Sequence, residues 1–138
     1  MKKKHLLIGL IILVVICLAG MLWWNKPITF LGNVLWKDIV RIEAFDGATG
    51  KSFTITDTKD IEYVVANIQG KSMKKEKISL GYMGTRFRLQ FVDGNGKKID
   101  EFIINSCGTI RKDPFFYCDK SESLCIDYLN MLEKQQKE

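Results

Sequence analysis

The chain has 138 residues, of which 46% are hydrophobic, 11% aromatic and 27% charged, with a formal net charge of +5. That length accommodates one small core and excludes two, and the composition excludes wholesale disorder. Three of the basic groups are Lys2, Lys3 and Lys4, so residues 25–138 carry 18 basic groups against 16 acidic ones, a mixed surface that gives no argument for a nucleic-acid partner.

Residues 6–24 contain no charge, and their most polar members are Gly9, Cys17 and Gly20. As a helix this run would be about 28 Å long, close to the hydrocarbon thickness of a bilayer. The lysines before it favour a cytoplasmic N-terminus, and Trp23 and Trp24 close it as an interfacial belt does. Residues 1–24 are therefore expected to be a basic cap and a single-pass membrane anchor, retained as a signal anchor, with everything after them extracytoplasmic. The competing reading is a signal peptide cut after Cys17-Leu18-Ala19, which would release a secreted protein. A lipoprotein site is poor, because Cys17 follows the bulky Ile16.

Residues 25–37 form a membrane-proximal segment rich in apolar side chains: Phe30, Leu31, Val34, Leu35 and Trp36. Such a segment either lies on headgroups or packs on the domain. Its shortness and Gly32-Asn33 favour packing.

Residues 38–138 read as the extracytoplasmic domain. In 38–45, Val40, Ile42 and Ala44 alternate with Arg41 and Glu43, the pattern of a half-buried strand. A turn at 46–50 and a partner strand at 51–56, with Phe53 and Ile55 inward, complete a hairpin. Asp57 or Thr58 can cap the following helix, whose apolar stripe is Ile61, Val64, Val65 and Ile68, and Gly70 can end it. Residues 71–77 (KSMKKEK) read as a solvated loop, and 78–83 as a short strand or irregular chain. In 85–93, Phe87, Leu89 and Phe91 alternate with Arg86, Arg88 and Gln90. The turn Asp93-Gly94-Asn95-Gly96 joins it to a strand at 97–106. A further hairpin flanks Lys112-Asp113-Pro114. A last helix begins at Asp119 or Ser121, with Glu122 completing a capping box, and buries Leu124, Cys125, Tyr128, Leu129 and Leu132. The expected fold is α+β: one N-terminal transmembrane helix, then a small antiparallel-sheet domain with two helices on one face.

The only histidine is His5, ahead of the apolar run, so the domain offers no Ser-His or Cys-His pair and no imidazole for zinc. Asp93, Asp100, Glu101 and Asp113 could in principle pair for acid–base chemistry, but each suits a turn or surface role better. The sequence thus suggests no catalytic residue, no cofactor and no metal site, and no enzyme. Outside the apolar run, three cysteines allow one disulfide: Cys118–Cys125, or its rival Cys107–Cys118, with buried free thiols as the other outcome. Two surface features stand out. One is a basic strip drawn from Lys71, Lys74, Lys75, Arg86 and Arg88, with Lys97 and Lys98 near it. The other is Phe115-Phe116-Tyr117, three successive aromatics that cannot all face one core on a strand.

The stretches KSFTITDTKDIEYVVANI, RFRLQFVDGNGKKIDEFII and GTIRKDPFFYC give the chain a layout that resembles small extracytoplasmic proteins of Gram-positive bacteria, in which an N-terminal anchor carries a domain of unknown function. The resemblance implies fold and location and carries no site residues. The expected role is a membrane-tethered interaction module with another envelope protein as partner, in regulation, immunity or assembly. The alternative is a binder of anionic cell-wall polymer or lipid headgroups through the basic strip.

Overall fold

The structure is a computed structural model and describes residues 1–121 and 123–136. Its first element is helix α1, Lys2–Asn25, in which no residue is buried. With a mean hydropathy of 3.0 it is long and apolar enough to cross a membrane, or to act as a signal sequence. The chain continues through a single 3-10 turn at Trp36–Asp38 into strand β1, Ile39–Asp46. Strand β2 is Lys51–Ile55, helix α2 is Thr58–Gln69 and strand β3 is Lys74–Ile78. Strands β4, Phe87–Asp93, and β5, Lys98–Ser106, precede the hairpin of β6, Thr109–Lys112, and β7, Phe115–Cys118. Helix α3, Ile126–Gln135, closes the domain.

Among the described residues, seven strands form one sheet in the order β2-β1-β4-β5-β6-β7-β3, with antiparallel pairing throughout. The fold is the expected α+β arrangement. Alternation sets which face is buried: Ile42 and Ala44 of β1 pair with Phe91 and Leu89 of β4, and Leu89 with Phe102 of β5. These side chains lie in one core with Ile61, Val64, Val65 and Ile68 of α2 and Leu129 and Leu132 of α3. Each fully buried aliphatic or phenylalanine contributes about 1.5–3 kcal/mol relative to exposure. The two helices sit side by side on that face: the Tyr63 and Tyr128 rings are 4.1 Å apart, and the Tyr128 hydroxyl donates to Asp60 Oδ1 at 2.5 Å. The Asp57 carboxylate caps α2 by accepting from the Lys59 and Asp60 amides.

Two sequence expectations are corrected. Residues 71–77, read as a solvated loop, supply most of β3, which pairs with β7 through Lys75↔Tyr117 and Ile78↔Phe115. Its composition argues weakly for a strand; the hydrogen-bonding edge of β7 organises it, a tertiary effect overriding local preference. Its lysines then serve an edge strand well, since charge discourages another chain from pairing there. Second, the last helix starts at Ile126, not at Asp119 or Ser121. The Asp119 carboxylate is engaged instead by the Ser121 amide and hydroxyl and the Ser72 amide, and it titrates below the ordinary carboxylate range chiefly for the Ser121 hydroxyl bond. The capping-box residue Glu122 lies outside the described residues.

The segment after α1 packs on the domain. Ile28 forms an antiparallel bridge with Met73, and Phe30 and Leu31 are buried, the Phe30 ring packing at a tilt against Phe102 with centroids 5.0 Å apart. Leu31 holds a left-handed backbone (φ 58°), which costs energy for a residue with a branched side chain. Burial of that side chain offsets the strain, and Gln69 Nε2 fixes the loop by donating to the carbonyls of Leu31 and Val34, both at 2.6 Å.

Candidate interaction surface

Where α1 ends, it meets the sheet edge. The Trp23 and Trp24 rings stand edge-on to Phe115 at centroid distances of 5.7 and 5.6 Å. Lys75 of β3 lies over the Trp23 ring at 4.2 Å, and its ammonium donates to the Trp23 carbonyl at 3.3 Å. Phe115 and Tyr117 are two apart on β7 and share a face, and Tyr117 packs against Phe30 at 5.2 Å. Strand alternation forces Phe116 to the opposite face, where it would be exposed. The loop between β3 and β4 covers it: Tyr82 stands perpendicular on Phe116 at 5.0 Å, and Lys77 lies over the same ring at 5.0 Å. The aromatic triplet is thus a junction with one ring for α1, one for the loop and one for the core.

The same loop is fastened at its start. Ser79 donates its amide to Pro114 and its hydroxyl to Asp113 Oδ1 at 2.5 Å. Arg111 also binds Asp113, and that guanidinium first, then Ser79, hold the Asp113 carboxyl below its ordinary value. The exposed large apolar side chains outside α1 concentrate here, with Ile78 at 61%, Leu80 at 70% and Met83 at 93%.

The proposed basic strip is not assembled. Lys74 and Lys75 lie on β3, whereas Arg88 lies on β4, four strand spacings or about 19 Å away across the sheet. Lys71 is 4% exposed. Arg86 points to the other end of the domain, where it donates to the fully buried Asp46 at 2.6 Å and to Asn130 at 2.5 Å. Alternation in 85–93 predicts a solvent-facing Arg86; in the structure its side chain turns to Asp46, where Gly47 packs tightly against this segment. The Gly47 amide bonds the Arg86 carbonyl at 2.6 Å, and a Cβ on Gly47 would lie 2.0 Å from the Thr85 carbonyl oxygen. Arg88 remains on the open sheet face beside Glu43, Gln90 and Thr54. Lys98 pairs with Glu101, and Lys97 uses its amide to close the Asp93 turn.

The acidic residues considered for catalysis have structural partners. Asp93 accepts from the Asn95 and Lys97 amides, Asp100 pairs with Lys112, Glu101 with Lys98, and Asp113 with Arg111. Cys107, Cys118 and Cys125 are free thiols in the structure, so neither pair considered is bonded, although the chain brings their segments together. Thr109 pairs with Cys118, the Asp119 amide bonds the Gly108 carbonyl, and the Leu124 amide bonds the Cys107 carbonyl. Cys107 is exposed and Cys125 buried, and burial pushes the Cys125 thiol up to about 12.

The elements define an α+β domain that meets the end of an N-terminal apolar helix through aromatic and cationic contacts. Comparison with protein-family models, curated proteins and solved structures finds no match to this chain.

Proposed function

We propose that the chain is a membrane-tethered extracytoplasmic module that acts by surface contact with another envelope protein. The observation that supports this most is the form of α1: an apolar helix with no buried residue, whose terminal tryptophans contact the domain. A retained helix of this hydropathy suits a lipid environment, and the contacts at its end would orient the domain relative to that lipid. The lysines at its start favour a cytoplasmic N-terminus and hence an outward domain. The resemblance to anchored Gram-positive proteins implies the same orientation.

With β3 next to the anchor, β2 is the remote edge, six strand spacings or about 29 Å across the sheet. The open face between them carries Arg41, Glu43, Arg88 and Gln90 with the half-buried Phe45, the mixture of charge and apolar surface from which transient protein contacts are made. Photo-crosslinking of the full chain in intact membranes tests the reading. A crosslinker at Gln90 should trap a discrete protein adduct that is lost with Arg88→Glu and survives high salt in part. Absence of an adduct from Gln90, Glu43 and Thr54 alike would refute a protein partner at this face.

A further inference from the structure

The loop between β3 and β4 combines features that are hard to reconcile with open water. Residues 79–82 form a turn closed by the Tyr82 amide on the Ser79 carbonyl at 3.1 Å, with Gly81 at φ +81° in its third position. Turn corners normally carry polar residues or proline. Here the second position is Leu80, 70% exposed, and Met83 just beyond is 93% exposed. The base of the loop is pinned by the Ser79 bonds and the Tyr82–Phe116 contact, so these side chains are presented from a supported scaffold. The strand leading into it carries three lysines and one glutamate.

Position supplies the occupant. Ile78 is the cross-strand partner of Phe115, the ring that holds Trp23 and Trp24. Leu80 is two residues further, within about 7 Å of extended chain. A bilayer spanned by α1 therefore ends beside this loop. We propose that the loop is a second membrane contact, with Leu80 and Met83 inserted into the leaflet that α1 leaves and Lys74 and Lys77 against its anionic headgroups. The domain is then held at two points and lies on the surface with β3 down, leaving β2 and the adjacent open face for a partner. This rests on the tethered reading and deepens it. Interfacial insertion couples an apolar tip to flanking cations in this way, and each lysine at an anionic surface adds about fivefold to binding.

The test uses the full chain with Cys17, Cys107 and Cys118 replaced by serine, reconstituted in vesicles of phosphatidylcholine with or without 30% phosphatidylglycerol. One spin label is placed at a time by Met83→Cys, Thr54→Cys or Leu13→Cys, and its exposure to oxygen and to a water-soluble nickel complex is compared. In the anionic vesicles the label at position 83 should favour oxygen, as the label at 13 does, while that at 54 favours nickel. Lys74→Gln with Lys77→Gln should shift the inserted-to-lifted ratio at position 83 by about 30-fold towards water. A position-83 label as accessible to nickel as the one at 54, with position 13 in lipid, overturns the insertion and leaves the tether intact. Spectral broadening at 83 that vanishes on dilution with unlabelled protein overturns it in favour of a second copy of the chain. If position 13 itself is in water, it is the tethered reading that fails.

Discussion

Phe115→Ala is expected to uncouple the domain from α1 while leaving the domain folded. Phe115 makes two edge-on contacts with tryptophans of the helix, and its ring is only half-buried, so most of what it contributes is the docking itself. Aromatic pairs of this geometry are worth about 0.5–1.5 kcal/mol each, giving about 1–3 kcal/mol for the two. That corresponds to a roughly 5- to 150-fold fall in the ratio of docked to undocked conformers. Lys75 keeps its bonds to Trp23 and opposes the loss, so Lys75→Ala combined with Phe115→Ala should complete it. Pulsed-EPR distances between spin labels at Leu13→Cys and Thr54→Cys in reconstituted protein provide the assay. The unsubstituted junction should give one narrow distribution, and Phe115→Ala a broad one. An unchanged narrow distribution in the double variant, with native circular dichroism, would refute the junction as the coupling element.

Arg86→Ala removes the ion-pair partner of a carboxylate that is fully buried, and such removal costs about 3–5 kcal/mol. The lower end applies because the Arg86 side chain keeps 27% of its surface in solvent; urea unfolding followed by circular dichroism measures it. Cys125 should resist a maleimide in the native domain and react on unfolding, whereas Cys107 reacts at once. Because the folded thiol is held near 12 and the unfolded one ionises near 9, the Cys125 contribution to stability falls as pH rises between them, and Cys125→Ala should flatten that decline. The Tyr128 phenol, raised to about 12 mainly by its bond to Asp60, should titrate nearer 10 in Asp60→Ala, read by NMR of ring-labelled tyrosine.

Elements whose stability comes from their own periodicity were legible in the sequence. The stripe of Ile61, Val64, Val65 and Ile68 and the alternation of Phe87, Leu89 and Phe91 are local patterns, and the structure buries all seven. Strand β3 was not legible, because its lysines carry no apolar alternation and its pairing partner lies some 40 residues away in sequence. The start of α3 is hidden in the sequence for a related reason: Asp119 binds Ser121 and the Ser72 amide, so its capping chemistry is spent on tertiary structure. At the surface, the triplet Phe115-Phe116-Tyr117 was visible as a conflict that one face could not absorb. Its resolution, by Trp23 and Trp24 on one side and Tyr82 on the other, depends on contacts between distant segments. Arg86 and Arg88 look equivalent by alternation, yet Arg86 precedes β4 and is held by Asp46 and Asn130 while Arg88 stays on the open face.

The proposed tethering by α1 can be measured directly on Cys107, which is exposed on the domain. Cells expressing the full chain with Cys118→Ser are treated with an impermeant reductant and then with a membrane-impermeant maleimide. Labelling of intact cells, lost in Cys107→Ser and unchanged by lysis, is the result expected for a domain held outside the membrane by α1. Labelling that appears only after lysis would put the domain in the cytoplasm and contradict the account.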